Sequence, residues 1–269
     1  MKSELPKIAV LIPSYNGEKL IEKCLASLAG NTEPHDIVIV DDGSKVPLAE
    51  VIAPRDNVMV LRAEKNIGIT RALNLGLHYI LDKGYEFVAR LDVDDTAHPE
   101  RLKKQLAFME DNPDVVLLGC WGKVVDEDGT PLYHLNHPTE HDAIIRYSWY
   151  NSAFLHPSMM IRTCVWREAG GYYELYPNAA EDYELTRRLA KFGRLANLPE
   201  YLIDYSYSIN GISVKKRRIQ LRSRLRIQWR YRNFLSPHFY FGILKTFVLW
   251  HAPQSLTLNI KRQIMREQS

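Results

Sequence analysis

A chain of 269 residues, 46% hydrophobic and 25% charged, has the composition of a folded globular protein able to bury one large core, which excludes a disordered or fibrous polypeptide. The net charge of +3 conceals an asymmetry: residues 1–204 carry 22 Lys and Arg against 31 Asp and Glu, whereas residues 205–266 carry 13 basic residues and no acid. Cys24, Cys120 and Cys164 are far apart and odd in number, which argues against a disulfide framework or zinc knuckle and for a reducing cytoplasm. The first residues lack the apolar core of a signal peptide, and no uncharged run reaches the roughly 18 residues of a spanning helix.

Along the first hundred residues, strand and helix patterns alternate. "KIAVLIPSY" is a continuous apolar run suited to a buried parallel strand, and "GEKLIEKCLASLAG" spaces Leu20, Ile21, Cys24, Leu25 and Leu28 at helical intervals. "DIVIVDDGS" and "NVMVLRAE" are further strands, "ITRALNLGLHYILDKG" is a helix ended by Gly84, and "YEFVARLDVDD" is a fourth strand. This β-α-β-β-α-β order predicts a doubly wound α/β sheet with ligands at the carboxyl ends of its strands. A helix is expected from near Pro99 to before Pro113, followed by a bulged strand entering an Asp-Gly turn, where Asp126, Glu127 and Asp128 are read as solvated turn acids. Residues 139–149 are read as a helix, "HPSMMIR" as a strand, "CVWREAGGY" as a short helix closed by glycines, and "AEDYELTRRLAKFG" as a helix with Glu181 and Asp182 in its first turn.

The stretch "VARLDVDDTAHPERL" crowds Asp92, Asp94 and Asp95 into four positions. Like charges so close destabilise one another unless a cation sits among them or some stay protonated. A calcium loop of the EF-hand type is excluded, because counting from Asp92 puts Ala97 where glycine is required and Lys103 where glutamate is required. A divalent metal held together with phosphate oxygens remains the first reading; capping of the following turn is the simpler alternative.

Together, "VLIPSYNGEKLIEKCLASL", "IVIVDDGS", "NIGITRALNLGL", "ARLDVDD", "HPSMMIR", "GGY" and "EDYELTRRLAKFG" resemble the family 2 glycosyltransferases of GT-A fold, particularly bacterial enzymes that build cell-surface glycans. The resemblance covers residues 7–213, about three quarters of the chain. It implies a Rossmann-like, doubly wound mixed sheet as catalytic domain (1–213) with a basic helical extension (214–269). The implied activity is inverting transfer from a nucleotide-diphosphate sugar, most simply a UDP-sugar, to a glycan or lipid-linked acceptor, with Mn2+ or Mg2+ as cofactor. Carried over residue by residue, it makes Asp94 and Asp95 metal and phosphate contacts and Asp92 the ribose or metal partner. Asp42 would read the base while Asp41 orients the loop, with Tyr15 packed near the base and Pro13 shaping the backbone. Arg71 and Asn74, one helical turn apart, are spaced to present a cation and an amide near the nucleotide, with a plain surface role the alternative for Arg71. Asp182 would be the base that deprotonates the acceptor, with Glu181 and His156 lining the acceptor cleft. Acids in a first helical turn are also favoured by the helix dipole without any catalysis.

One departure stands out: where many relatives have Y-R-x-H-x-x-S-x-S, "YSYSINGIS" puts Ser206 and Ser208 at the Arg and His positions, leaving Tyr207 and Lys215 as alternative phosphate contacts. His134, His137 and His141 have ligand-like spacing, but Pro138 interrupts them and no fourth ligand is evident. In the basic tail, "VKKRRIQLRSRLRIQWRYRNF" fits helix and strand periods alike, and the resemblance favours helix. "FYFGILKTFVLW" is too short to span a bilayer but suited to its surface, so the tail either meets an anionic inner leaflet or packs on the acidic body. A sugar-nucleotide pyrophosphorylase lacks support because "IPSYNGEKL" is not a glycine-rich phosphate loop with basic residues, and the acidic body argues against nucleic-acid binding.

Overall fold

The computed structural model describes residues 5–174, 180–206 and 217–252. Strand β1 (Ile8–Ser14) is buried at every position, because it runs parallel between β2 (His35–Asp41) and β4 (Phe87–Arg90). Its alternate residues feed two cores. Ile8, Val10 and Ile12 pack with Ile21, Leu25 and Leu28 of α1 (Ile21–Ala29), whereas Ala9 and Leu11 pack with Ala72, Leu73 and Leu77 of α3 (Ile69–Lys83). A strand covered on both faces must be apolar throughout, which is why its sequence shows no alternation. Leu20 does not belong to the buried stripe: it is the N-cap of α1 and 43% exposed. After the short α2 (Leu48–Val51), β3 (Val58–Arg62) pairs parallel with β2, and α3 ends at Gly84 as expected.

The second half comprises β5 (Thr96–Ala97), α4 (Arg101–Asp111), β6 (Val115–Val125), β7 (Pro131–Leu135), α5 (His141–Tyr147), β8 (Met160–Arg162), α6 (Thr163–Ala169), α7 (Glu181–Leu189) and β9 (Arg194–Ser206). The sheet runs β3-β2-β1-β4-β8-β6-β9-β5, with β7 paired to β6. It is mixed: β8 is antiparallel to both β4 and β6, while β6 and β9 are parallel.

Three readings of the sequence need correction. The fourth strand stops at Arg90, so all three crowded aspartates stand in the turn beyond it. "HPSMMIR" opens as a 3-10 turn over His156–Ser158, and only Met160–Arg162 is strand, since Pro157 has no N–H to give a ladder. The long strand β9 was not anticipated; Pro199 and the irregular register against β6 at Cys120 and Trp121 break its alternation.

The basic extension is helical where described. Helices α8 (Arg217–Arg230) and α9 (Pro237–His251) form a hairpin, with Gln228 Oε1 accepting from Thr246 Oγ1 at 3.2 Å and Arg217 donating to the Leu249 carbonyl at 2.5 Å. One side of the hairpin is fastened to the body. Ile227 packs on Tyr183, Gln228 Nε2 donates to the Trp149 carbonyl at 2.9 Å, and Tyr231 donates to Glu184 at 2.7 Å. Packing on the acidic body is therefore real for that side. The expected boundary at 213/214 lies outside the described residues.

Candidate active site

Parallel pairing of β1, β2 and β4 brings their carboxyl ends to one edge, and the loops there are laced together. Asp41, fully buried, accepts the Ser44 N–H at 2.9 Å and the Leu48 N–H at 3.1 Å and pairs with Arg62. Burial pushes its carboxyl up, but the bonds from Ser44, Leu48 and Arg62 outweigh it and hold it below the usual aspartate range. Asp41 thus ties the loop that follows β2 to the start of α2. Asp42 accepts the N–H groups of Ile67 (2.6 Å) and Gly68 (3.0 Å), tying the start of α3 to β2; burial raises its pKa. Each of its oxygens keeps a second lone pair for a further donor. Gly43 between these loops has φ of 69° and comes so close to the Lys65 and Asn66 backbone that a Cβ would meet Lys65 C at 2.4 Å. Pro13 lies in β1 opposite Val40, and Tyr15 just beyond is half exposed over this edge.

Asp92, Asp94 and Asp95 converge: one carboxylate oxygen from each lies within 4.8 Å of the others. Arg90 clamps Asp92 Oδ1 at 2.8 Å, and Asp95 Oδ1 accepts the Ser206 N–H at 2.8 Å. The other oxygen of Asp95 is buried without a protein partner. Asp94 opens to solvent, yet surrounding protein and the Asp92 charge push it up to about 6; burial and the charges of Asp92 and Asp94 hold Asp95 well above the ordinary range. Three oxygen donors and an orphaned buried carboxylate oxygen fit a hard divalent cation such as Mg2+ or Mn2+.

A second acid pair stands across Arg90. Ala180, with φ of 66°, turns the chain into α7, whose first residues are Glu181 and Asp182. Asp182 accepts from Ser152 Oγ at 3.3 Å; burial raises its pKa while the Ser152 bond and the Arg224 charge from α8 temper the rise. Burial and the neighbouring Asp182 push Glu181 up to about 7, and its Oε2 is buried without a partner. Arg90 and Asp92 both act on Glu181, so the two acid groups share one electrostatic site. His156 belongs to it through a 3.0 Å contact between Nε2 and the Tyr172 hydroxyl; burial and the Arg90 charge hold the imidazole well below its usual range, hence neutral.

The remaining predicted residues divide. Arg71 is exposed and pairs with Glu174 at 2.9 Å. Asn74 does not present its amide to a ligand, because both ends bond the Tyr172 backbone, at 2.9 and 2.8 Å. The histidine cluster is dispersed over separate structural roles: His134 stacks on Tyr201, the His137 carbonyl accepts from Trp121, and His141 Nδ1 accepts the Leu195 N–H. Ser206 caps the aspartate turn, its hydroxyl donating to the Asp94 carbonyl at 2.5 Å. Tyr207, Ser208 and Lys215 lie outside the described residues. Sequence reasoning missed Arg90, Ser152, Tyr172 and Arg224. Two left a signal: Arg90, as a charged residue closing an otherwise apolar strand that is buried at all four positions, and Tyr172, as the tyrosine of "GGY".

Comparison with known proteins gives the chain a lineage. Residues 9–168 match glycosyl transferase family 2. The chain is 34% identical over 251 residues to the amylovoran biosynthesis glycosyltransferase AmsE of Erwinia amylovora, covering 87% of this chain and 91% of that one. It is 28% identical over 218 residues to the Escherichia coli UDP-Gal:alpha-D-GlcNAc-diphosphoundecaprenol beta-1,3-galactosyltransferase, covering 77% of each. The crystal structure of S. aureus TarS 1-349 in complex with UDP-GlcNAc superposes with a TM-score of 0.68 at 22% identity, covering 90% of this chain and 71% of that one. The fold is accordingly GT-A, and the chain belongs to glycosyl transferase family 2.

Proposed function

We propose that the protein is an inverting glycosyltransferase that moves a sugar from a UDP-sugar to a hydroxyl of a glycan or lipid-linked acceptor in surface polysaccharide or lipopolysaccharide assembly. The observation that carries this reading is the pairing, across Arg90, of an aspartate cluster with a second, partly protonated acid pair in a family 2 chain. Relatives named for amylovoran synthesis and for galactosyl transfer from UDP-Gal support the donor and the setting.

Asp92, Asp94 and Asp95 would hold a divalent ion, which supplies positive charge beside the diphosphate leaving group. Tyr15 and Pro13 would cover the base, Asp42 would accept a base N–H while bracing residues 67–68, and Arg71 would leave Glu174 to meet the nucleotide. Arg90 fixes Asp92 and sets a positive charge between the two acid groups. Asp182 takes the proton from the acceptor hydroxyl; a buried carboxylate with a raised pKa is a stronger base near neutral pH than a solvated one. Glu181, His156 and Tyr172 line the same cleft. No described helix is long and apolar enough to cross a membrane, and a lipid-linked acceptor would be met from the inner leaflet by a peripheral enzyme.

The test is UDP release from UDP-glucose, UDP-galactose and UDP-GlcNAc with Mn2+ or Mg2+ and lipid-linked saccharide acceptors, with the anomeric configuration of the product read by NMR. One donor should be consumed with inversion, and Asp182→Asn should slow that step about 100-fold or more. Retention of configuration, or full activity in Asp182→Asn, would contradict the mechanism; consumption of GDP-sugars alone would overturn the donor.

A further inference from the structure

The exposed apolar side chains of this protein are concentrated on one structure. Of the 18 large hydrophobic residues that are exposed among the described residues, eight lie between Trp229 and Val248, on the outer side of the α8–α9 hairpin and its connecting loop. Helix α9 is apolar on two sides. Phe239, Gly242 and Thr246 are buried toward the body, while Phe241, Leu244 and Val248, on the opposite side, are 60%, 57% and 56% exposed. A helix facing water on that side would carry polar residues there; an apolar outer face of this size marks a contact with a second apolar medium.

The charge around the face says which medium. Arg222 and Arg226 stand one helical turn apart on the exposed side of α8, beside Trp229, which is 59% exposed, whereas Arg230 turns to the body, 5.2 Å from the Tyr173 ring centroid. The Arg232 guanidinium stands 5.8 Å from the Trp229 ring centroid and 5.9 Å from that of Phe234, so the loop also joins cation to aromatic. No acid lies between Asp204 and Glu267. A second copy docking by the same face would set these arginines against their own equivalents, whereas anionic headgroups would neutralise them. At 15 residues, α9 is ~22 Å long, short of the ~30 Å hydrocarbon core, so it suits the plane of an interface.

We propose that the outer face of the α8–α9 hairpin is a docking surface for an anionic phospholipid bilayer, with Phe241, Leu244 and Val248 entering the interfacial layer and the arginines of α8 meeting phosphate headgroups. The inner face of the same hairpin reaches the cleft: Arg224 donates to the Tyr150 carbonyl and to Asn151 Oδ1, both at 3.3 Å, next to Ser152, the partner of Asp182. A docked bilayer would therefore lie on the acceptor side. That last step rests on the glycosyltransferase reading; docking itself does not.

The experiment is flotation of the full chain with vesicles of phosphatidylcholine alone and of phosphatidylcholine with phosphatidylglycerol, at low and high salt, without any nucleotide. The protein should float with the anionic vesicles and lose most of this binding at high salt. Phe241→Ser with Leu244→Ser should weaken partitioning by about tenfold or more, and Arg222→Gln with Arg226→Gln should remove most of the preference for anionic lipid. Circular dichroism and UDP titration of both variants show that the body is intact. Failure to float with either vesicle, or equal binding by the apolar variant, would overturn the proposal. So would a concentration-dependent dimer in sedimentation that the apolar variant abolishes, since the face would then belong to a second copy. Absence of UDP binding by the parent chain with intact flotation would instead strike at the donor reading alone.

Discussion

Glu181 and Asp182 are consecutive, yet their surroundings give them different protonation behaviour. Glu181, pushed to about 7 from an ordinary value of 4.5 by burial and the Asp182 charge, keeps its proton in the folded protein through a range where the unfolded chain has lost it. A folded state that binds more protons loses stability as pH rises, so this group's contribution falls between about pH 4.5 and 7 and then levels off. Glu181→Gln removes that penalty. Scanning calorimetry should find the variant about 2–5 °C more stable than the parent at pH 8 and nearly equal at pH 4; equal midpoints at both would place Glu181 in a solvated setting. Asp41 is the opposite case. Asp41→Ala leaves two backbone N–H groups and the Arg62 guanidinium without their acceptor, and denaturant unfolding should show a loss of about 2–4 kcal/mol. The crowding of Asp92, Asp94 and Asp95 was legible at this scale because adjacent like charges are anomalous in any sequence. The partners Ser152 and Arg224 were not, because each reaches the cleft from a remote segment and is an ordinary residue where it stands in the chain.

At the scale of elements, continuity of burial decided what could be read. β1 and β2 are apolar runs between polar loops, and α3 carries a regular stripe and a terminal glycine, so their identities follow from local pattern. β9 defeats that logic, for its ladder with β6 shifts register and its neighbours are set only by the fold. The tail shows the same limit: helix and strand periods both fit its arginine-rich segment, and the decision comes from tertiary contacts on α7 and Trp149. Gly242 is the tightest of these contacts, since a Cβ would meet the Trp149 carbonyl oxygen at 2.4 Å. Gly242→Ala, although better for an isolated helix, should loosen the hairpin by about 1–3 kcal/mol. Hydrogen exchange should then quicken in α8 and α9 while β1, β2 and β4 stay protected; unchanged protection of the hairpin would mean that it is not held through this approach.

For the whole molecule, the parallel half of the sheet gathers the Asp41–Asp42 loop and the aspartate turn at one edge, and the mixed half returns α7 and the C-terminal hairpin across from them. Three carboxylates within 4.8 Å are repulsive unless an ion, or protons, fill the space, and this chain of family 2 holds them together in one turn. The most direct test is calorimetric titration of the full chain with UDP, in manganese or in EDTA, beside Asp94→Ala and Asp42→Ala. Binding that appears with manganese, vanishes with EDTA and is lost in Asp94→Ala, with Asp42→Ala weakened by about tenfold or more for a lost hydrogen bond to the base, is the predicted result. UDP binding of equal strength in EDTA, or undiminished in Asp94→Ala, would contradict the assignment of the crowded aspartates to a cation and diphosphate site.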